Sequence, residues 1–330
     1  MRGPVLVTGA NGFLGRHLVA ELRRRSVPVR ALLRPGTTAP FDAADAGISY
    51  HFADITQPAQ LAGAAGSCLA IIHAAALASV NPARNPAVWA ANLGGTENVL
   101  ALARQAGVER LVFVGTANVF GFGTKENPGD ETRPYTGRRY GLDYMDSKRA
   151  ATDLVLAAVQ GEQLPAVLVH PTFMLGPADA KPTSNALLLE LYRRRLPGYP
   201  PGGKNYVHVR DVAAATVNAL TMGQVGESYI LGNENLSYRE AFGQLAAVLG
   251  VPAPRWPIPA GLAQLYGALS EQLAHLRGRP AQLNAAMAAV ANDGHYFSSA
   301  KARAVLALPQ TSIDEAAAEA FAWFRAHDYV

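Results

Sequence analysis

The run Val5-Leu6-Val7-Thr8-Gly9-Ala10-Asn11-Gly12-Phe13-Leu14-Gly15 constrains the fold more than any other stretch of the chain. Aliphatic residues lead straight into three glycines, and a helical pattern begins at once. Leu14, Leu18 and Leu22 share one helical face, with Arg16, Arg23 and Arg24 off it. A strand, a tight turn and a helix N-terminus make a site for a phosphate, because free N–H groups and the helix dipole point at the turn. In that geometry Gly9 permits the turn, Gly12 lets a pyrophosphate approach the backbone, and Gly15 lets the helix pack on the strand. The spacing is GxxGxxG rather than GxGxxG. Three glycines among 31 say little alone; the strand before them and the helix after them carry the reading of a dinucleotide site. The competing reading is an ordinary βα turn with no ligand.

The rest of the composition bounds the answer. With 330 residues and 49% hydrophobic content the chain can bury a large core, as one big α/β unit or two domains. Mean hydropathy is +0.06, yet no apolar run approaches the roughly 18 residues that span a bilayer. No signal peptide is expected before the first strand. Cys68 is the single cysteine, which excludes an internal disulfide framework and a cysteine-based zinc cluster. The cytoplasm is the expected compartment. The net charge of +4 comes from scattered arginines. Arg193-Arg194-Arg195 is the densest run and reads as a solvated helix face or an anion contact. No aromatic–basic interleaving suggests nucleic acid.

Along the chain, strands are expected at Val27–Leu33, Ile48–Phe52, Leu69–His73, Arg110–Gly115 and Leu164–His170, with helices between them, including Val88–Ala106. The repeated βαβ order predicts a doubly wound parallel sheet. After Pro171 the pattern breaks. A helix over Asn185–Arg195, a strand at Tyr206–Val209, a helix over Arg210–Met222 and a strand at Ser228–Leu231 are expected there. Ser237–Leu249 carries a capping box, Ser237 with Glu240. Short helices follow, ending in an amphipathic one at Ile313–His327. The second strand ends in Arg34, where an acid would suit the ribose hydroxyl of NAD and an arginine suits the 2′-phosphate of NADP. Asp54 is placed to cap a helix or to meet an adenine amino group. His73 reads as a packed structural residue. Ala74, Ala75 and Ala76 are small enough for a cofactor to lie on the backbone.

Tyr144 and Lys148 form the chain's one YxxxK pair, on one face of a helix. A phenol with a pKa of about 10 is a poor acid at neutral pH, and a nearby ammonium favours the phenolate. Thr116 leaves the C-terminal end of the fifth strand, where ligands sit in open α/β sheets, and its hydroxyl can hold a carbonyl oxygen.

With these residues the chain resembles an extended short-chain dehydrogenase/reductase of the NAD-dependent epimerase/dehydratase superfamily. The matching stretches are Thr8–Gly15, Asp54-Ile55, His73-Ala74-Ala75, Asn92–Thr96, Thr116–Gly121, Tyr144–Lys148, His170-Pro171-Thr172 with Gly176-Pro177, and Val207–Val212. They fall in the family's order over the first two-thirds of the chain. The resemblance implies a Rossmann-type dinucleotide-binding unit over residues 1–172, rejoined by about 205–235. It implies a smaller, mostly helical substrate region over 173–204 and 236–330. Thr116, Tyr144 and Lys148 would be catalytic. Gly9, Asn11, Gly12, Phe13, Leu14, Gly15, Arg34, Asp54, Ile55, Ala74, Ala75, Ala76, Asn92, Tyr144, Lys148, Pro171 and Phe173 would bind the cofactor. The family more often has serine at the position of Thr116.

Within the family the chain looks most similar to dihydroflavonol 4-reductase-like and 3β-hydroxysteroid dehydrogenase-like members. That implies reduction of a ketone or aldehyde with NADP(H) rather than NAD(H), no metal, a small-molecule substrate and a homodimer packed through roughly Val88–Ala106 and Asp143–Val159. Phe122, Met174, Leu175, Leu187, Leu188, Tyr199 and Tyr206 suggest a largely apolar substrate pocket. The alternatives are an NAD-dependent nucleotide-sugar epimerase, with Arg193–Arg195 or Arg210 meeting a diphosphate, and a cofactor-sensing protein without catalysis.

Overall fold

The structure is a computed structural model that describes residues 3–42, 44–262 and 284–330. The first half alternates strand and helix: β1 (Val5–Thr8), α1 (Phe13–Arg24), β2 (Val29–Leu33), β3 (Ile48–Phe52), β4 (Ala70–His73), α2 (Pro86–Trp89), α3 (Gly95–Ala106), β5 (Arg110–Val114), α4 (Asp143–Glu162) and β6 (Ala166–Pro171). The second half runs β7 (Phe173–Leu175), α5 (Ala186–Tyr192), β8 (Gly203–His208), α6 (Val209–Asn218), β9 (Ser228–Leu231), β10 (Glu234–Ser237) and α7 (Tyr238–Leu249). It closes with α8 (Ala285–Asn292), β11 (Gly294–His295), α9 (Ala300–Leu306) and α10 (Ile313–Ala326).

Seven parallel strands form the main sheet in the order β3-β2-β1-β4-β5-β6-β9. Val5 is in register with Val29 on one side and Ala70 on the other. The central strands β1, β4, β5 and β6 are buried on both faces, so they are near-continuous apolar runs rather than alternating ones. On one face Leu14, Leu18 and Leu22 of α1 pack with Val212 and Ala215 of α6. Burying each leucine contributes about 2 kcal/mol. On the other face Val99 and Ala103 of α3 pack with Ala151 and Val155 of α4. Strand order reverses between β1 and β4, which opens a crevice at their C-terminal ends.

A second, small sheet is built on β8, antiparallel to β10 and parallel to β7 and β11. Leu175, Leu188, Tyr206, Phe242 and Leu245 form its core beneath α5, α7 and α10. The expected capping box on α7 is present.

Several boundaries differ from expectation, each for a local reason. The helix expected to reach Arg195 ends at Tyr192, because Arg194 takes φ +55° and Arg195 N turns back to Glu190 O at 2.9 Å. The strand expected to start at Tyr206 starts at Gly203, and it stops at His208, whose Nδ1 accepts from Arg210 N and caps α6. The helix expected over Val88–Ala106 contains a π turn at Ala90–Gly94. Asp54 caps no helix: its carboxylate closes a turn on the N and Oγ1 of Thr56. β7, β10 and β11 have no counterpart among the expected strands; none exceeds four residues. The short helices expected after Ser237 fall partly on 263–283, outside the described residues.

Candidate active site

The glycine turn is built as tightly as its sequence suggests. Gly9 has φ +69°, and a Cβ there would lie 2.8 Å from the Ala75 backbone. A Cβ on Gly15 would lie 2.0 Å from Gly9 O and 2.8 Å from Ala10 Cα. Gly12 N donates to Gly9 O at 2.9 Å and closes the turn. No side chain caps α1, and its first turn carries no acid. The N–H groups at this helix start thus face the crevice with no competing carboxylate, which fits the diphosphate of a dinucleotide. Gly15→Ala is expected to cost about 2–4 kcal/mol of stability, read by urea unfolding, and to abolish dinucleotide binding. An unchanged midpoint would mean that the turn has room for a methyl.

A buried hydrogen-bonded chain runs from this turn to the YxxxK helix. Ala75 N donates to Thr8 Oγ1 at 3.1 Å, so the Thr8 hydroxyl points its proton at His73 Nδ1, 2.7 Å away. His73 Nε2 then carries the ring proton toward Thr96 Oγ1 at 3.1 Å, and Thr96 donates to Asn92 O at 2.6 Å. Burial pushes His73 down to about 3, so the ring is neutral and its tautomer is set by these partners. Asn92 is 1% exposed; its amide exchanges hydrogen bonds with the Leu77 backbone and donates to Ser147 Oγ at 3.1 Å. Asn92 therefore ties the loop after β4 to α4.

Thr116, Tyr144 and Lys148 come together at the end of β5. Thr116 is 8% exposed; its hydroxyl accepts from Asn118 N at 3.4 Å and lies near the Tyr144 phenol. Lys148 is 2% exposed; its Nζ donates to Val114 O at 2.7 Å and sits 4.5 Å from the centre of the Phe113 ring. Burial drives the lysine down to about 7. Burial also raises Tyr144 above its ordinary value, opposed by the nearby Thr116 hydroxyl. The sequence expectation that Lys148 sets the phenol's acidity is thus reshaped: in the free protein burial dominates both groups, and the ammonium is directed to a backbone carbonyl.

The remaining expected site residues are spread around the crevice. Arg34 is exposed just past β2, and its carbonyl accepts from Thr37 N and Oγ1 to close a turn. Asp54 is half-buried beside the buried Ile55, which packs against Gly95. Ala74 and Ala75 are half-buried and Ala76 is exposed. Pro171 ends β6, and Phe173 opens β7 edge-on to Tyr206. Among the expected pocket residues, Leu175, Leu188 and Tyr206 are fully buried in the small sheet's core, where they pack rather than line a cavity. Phe122, Met174, Leu187 and Tyr199 keep exposed surface.

Sequence reasoning missed Lys204. Its Nζ lies 5.0 Å from the centre of the Phe173 ring, and burial pushes it down to about 8. Among the described residues it has no carboxylate partner. Its charge also helps hold His295 well below the usual histidine value, after the larger effect of burial. His295 in turn packs 4.3 Å from the Phe122 ring. The sequence offered no clear signal: β8 reads Gly203-Lys204-Asn205-Tyr206-Val207-His208, and Lys204 lies before the strand expected from Tyr206.

Among the described residues no helix is long and apolar enough to cross a membrane. Residues 5–232 match the model of the NAD dependent epimerase/dehydratase family. A Synechocystis sp. protein provisionally named dihydroflavonol 4-reductase is 32% identical over 330 residues, covering 98% of this chain and 95% of its own. A 2-alkyl-3-oxoalkanoate reductase of Stenotrophomonas maltophilia is 30% identical, covering 94% and 96%. The UDP-glucose 4-epimerase of Thermus thermophilus, solved with NAD, is 25% identical with a TM-score of 0.75, covering 98% and 99%. Fold, glycine turn and matches agree: the chain belongs to the NAD dependent epimerase/dehydratase family and is an NAD(P)-dependent oxidoreductase of the extended short-chain dehydrogenase/reductase type.

Proposed function

We propose that the protein reduces a ketone or aldehyde on a small to medium, largely apolar substrate with NADP(H). The observation that carries this reading is the Thr116–Tyr144 hydroxyl pair at the C-terminal end of β5, one helical turn from buried Lys148. The glycine turn and the start of α1 would hold the diphosphate, Arg34 the 2′-phosphate, and Asp54 with Ile55 the adenine. When bound, the cofactor supplies the hydride for the carbonyl carbon. Thr116 orients the carbonyl oxygen. Tyr144 gives that oxygen its proton as the C=O π pair moves onto it, and later regains a proton from water. Lys148 stabilises the transient phenolate.

Three of the four cations offered for a nucleotide sugar already have partners. Arg210 pairs with Glu315 and Glu319, Arg195 lies 3.6 Å from Glu190, and Arg193 donates to Tyr329 O. Lys204, beside Phe173, can match a single negative charge such as a carboxylate, and a 3-oxoalkanoate reductase among the relatives supports that substrate class. The test is NADPH consumption with a panel of 3-oxo acids and neutral ketones, alongside mass analysis of the purified protein for retained cofactor. Tightly held NAD with no NADPH consumption would overturn the reading in favour of an epimerase.

Cofactor choice has its own test. Arg34→Asp is expected to weaken NADPH binding about 10- to 100-fold, the loss of one or two charge-assisted hydrogen bonds, and to change NADH binding less than about threefold. Equal losses for both cofactors would show that Arg34 does not read the phosphate.

A further inference from the structure

Trp256 is the most exposed large apolar side chain among the described residues, at 75%, and Leu262 follows at 59%. This is not a floppy loop. Tyr199 N donates to Trp256 O at 2.9 Å, and Ile258 N donates to Tyr199 O at 2.8 Å. Pro254 and Pro257 stiffen the backbone on either side. A Cβ on Gly198 would lie 2.3 Å from Trp256 O, so only glycine lets the two segments meet so closely. The indole is thus held outward by a fixed backbone.

Two arginines share its groove. Leu191, Arg194, Leu196, Pro252, Arg255 and Trp256 line one shallow groove. Arg193, Arg194, Arg195 and Arg255 are all exposed. Arg193 donates to a backbone carbonyl, and Arg195 lies near Glu190. Among the described residues Arg194 and Arg255 have no carboxylate partner. Arg194 also occupies the left-handed position after α5, with φ +55°, where glycine is the usual residue.

We propose that this face docks the protein on an anionic lipid bilayer, with Trp256 in the headgroup region and Arg194 and Arg255 on lipid phosphates. A projecting indole beside two unpaired arginines matches the bilayer interface, where the indole sits at headgroup depth and each arginine adds attraction to anionic lipid. A second copy of the chain fits less well: one projecting indole falls far short of the roughly 800 Å² per partner that a stable dimer buries, and the unpaired arginines of one copy would face those of the other. The proposal does not depend on the reduction chemistry.

The test is co-sedimentation of the full chain with vesicles of phosphatidylcholine alone or mixed with phosphatidylglycerol. Binding is expected to rise at least about fivefold with the anionic lipid and to fall at high salt. Trp256→Ala and the double variant Arg194→Glu/Arg255→Glu should each reduce binding about tenfold, with circular dichroism unchanged. The arginine variant alters only exposed side chains, so it decides the question even if the tryptophan variant folds poorly. Equal binding to both vesicle types, or wild-type binding by the arginine variant, overturns the proposal. So does a fall in oligomeric mass for Trp256→Ala, which would assign the face to a second copy, or equally strong salt-sensitive binding to polyglutamate, which would assign it to an acidic protein.

Discussion

Tyr144→Phe is expected to lower kcat by about two to four orders of magnitude while leaving the Kd for NADPH within about twofold. The substitution removes one O–H and keeps the ring, which packs with Phe122 and Tyr135 around the Tyr140–Met145 cluster. The proposed diphosphate cradle on β1 and α1 is untouched. A merely structural tyrosine would give the opposite pattern, a loss of stability with turnover retained. An unchanged kcat would remove Tyr144 from the mechanism. The pH profile adds a second readout. Burial holds Tyr144 above the usual tyrosine value, so its proton is present throughout the neutral range. Lys148 carries its charge below about 7 and loses it above. Reductive kcat/KM should therefore fall as pH rises through about 7, because the cation that stabilises the phenolate is being lost. A flat profile between pH 6 and about 9 would show that the lysine charge does not matter to turnover.

What the sequence made legible were features enforced by short-range geometry. Gly9 and Gly15 stand where a methyl would strike backbone, so glycine is needed locally and the turn can be read from a dozen residues. Tyr144 and Lys148 share a face because four residues make about one helical turn. The main sheet was readable because strands buried on both faces are unbroken aliphatic runs. Other features depend on partners far away in the chain. Thr8 and His73 are 65 residues apart, and neither residue type announces a shared proton. β10 and β11 form because β8 presents its edges, not because their own residues favour strand. Leu175 and Leu188 could not be told from pocket residues, since core and apolar pocket use the same side chains. Lys204 gains its meaning only from the Phe173 ring beneath it and the lack of a carboxylate partner among the described residues.

Lys148→Met should separate function from stability, with effects of opposite sign. Turnover is expected to fall about 100- to 1,000-fold, because the variant has no ammonium to stabilise the phenolate. Stability should rise at neutral pH. Lys148 is 2% exposed, and its fall from 10.5 to about 7 means that charging it inside the fold costs roughly 4 kcal/mol. Methionine fills similar volume but leaves Val114 O without its donor, which returns about 1–3 kcal/mol of that gain. The net stabilisation is expected to be about 1–3 kcal/mol, seen as a higher unfolding midpoint. Its pH dependence follows from the direction of the shift. Between about 7 and 10.5 the unfolded chain binds the lysine proton and the folded chain does not, so wild-type stability rises with pH across that window. The advantage of Lys148→Met should be full below about 7, shrink as pH rises and turn into a deficit of about 1–3 kcal/mol above about 10.5, where only the lost donor to Val114 O remains. An advantage that stayed constant with pH would mean that the lysine is not being forced to carry a buried charge. A destabilised variant would mean that the hydrogen bond to Val114 and the Phe113 contact outweigh burial. In either case Lys148 would not be a charge held against the fold's own stability for catalysis.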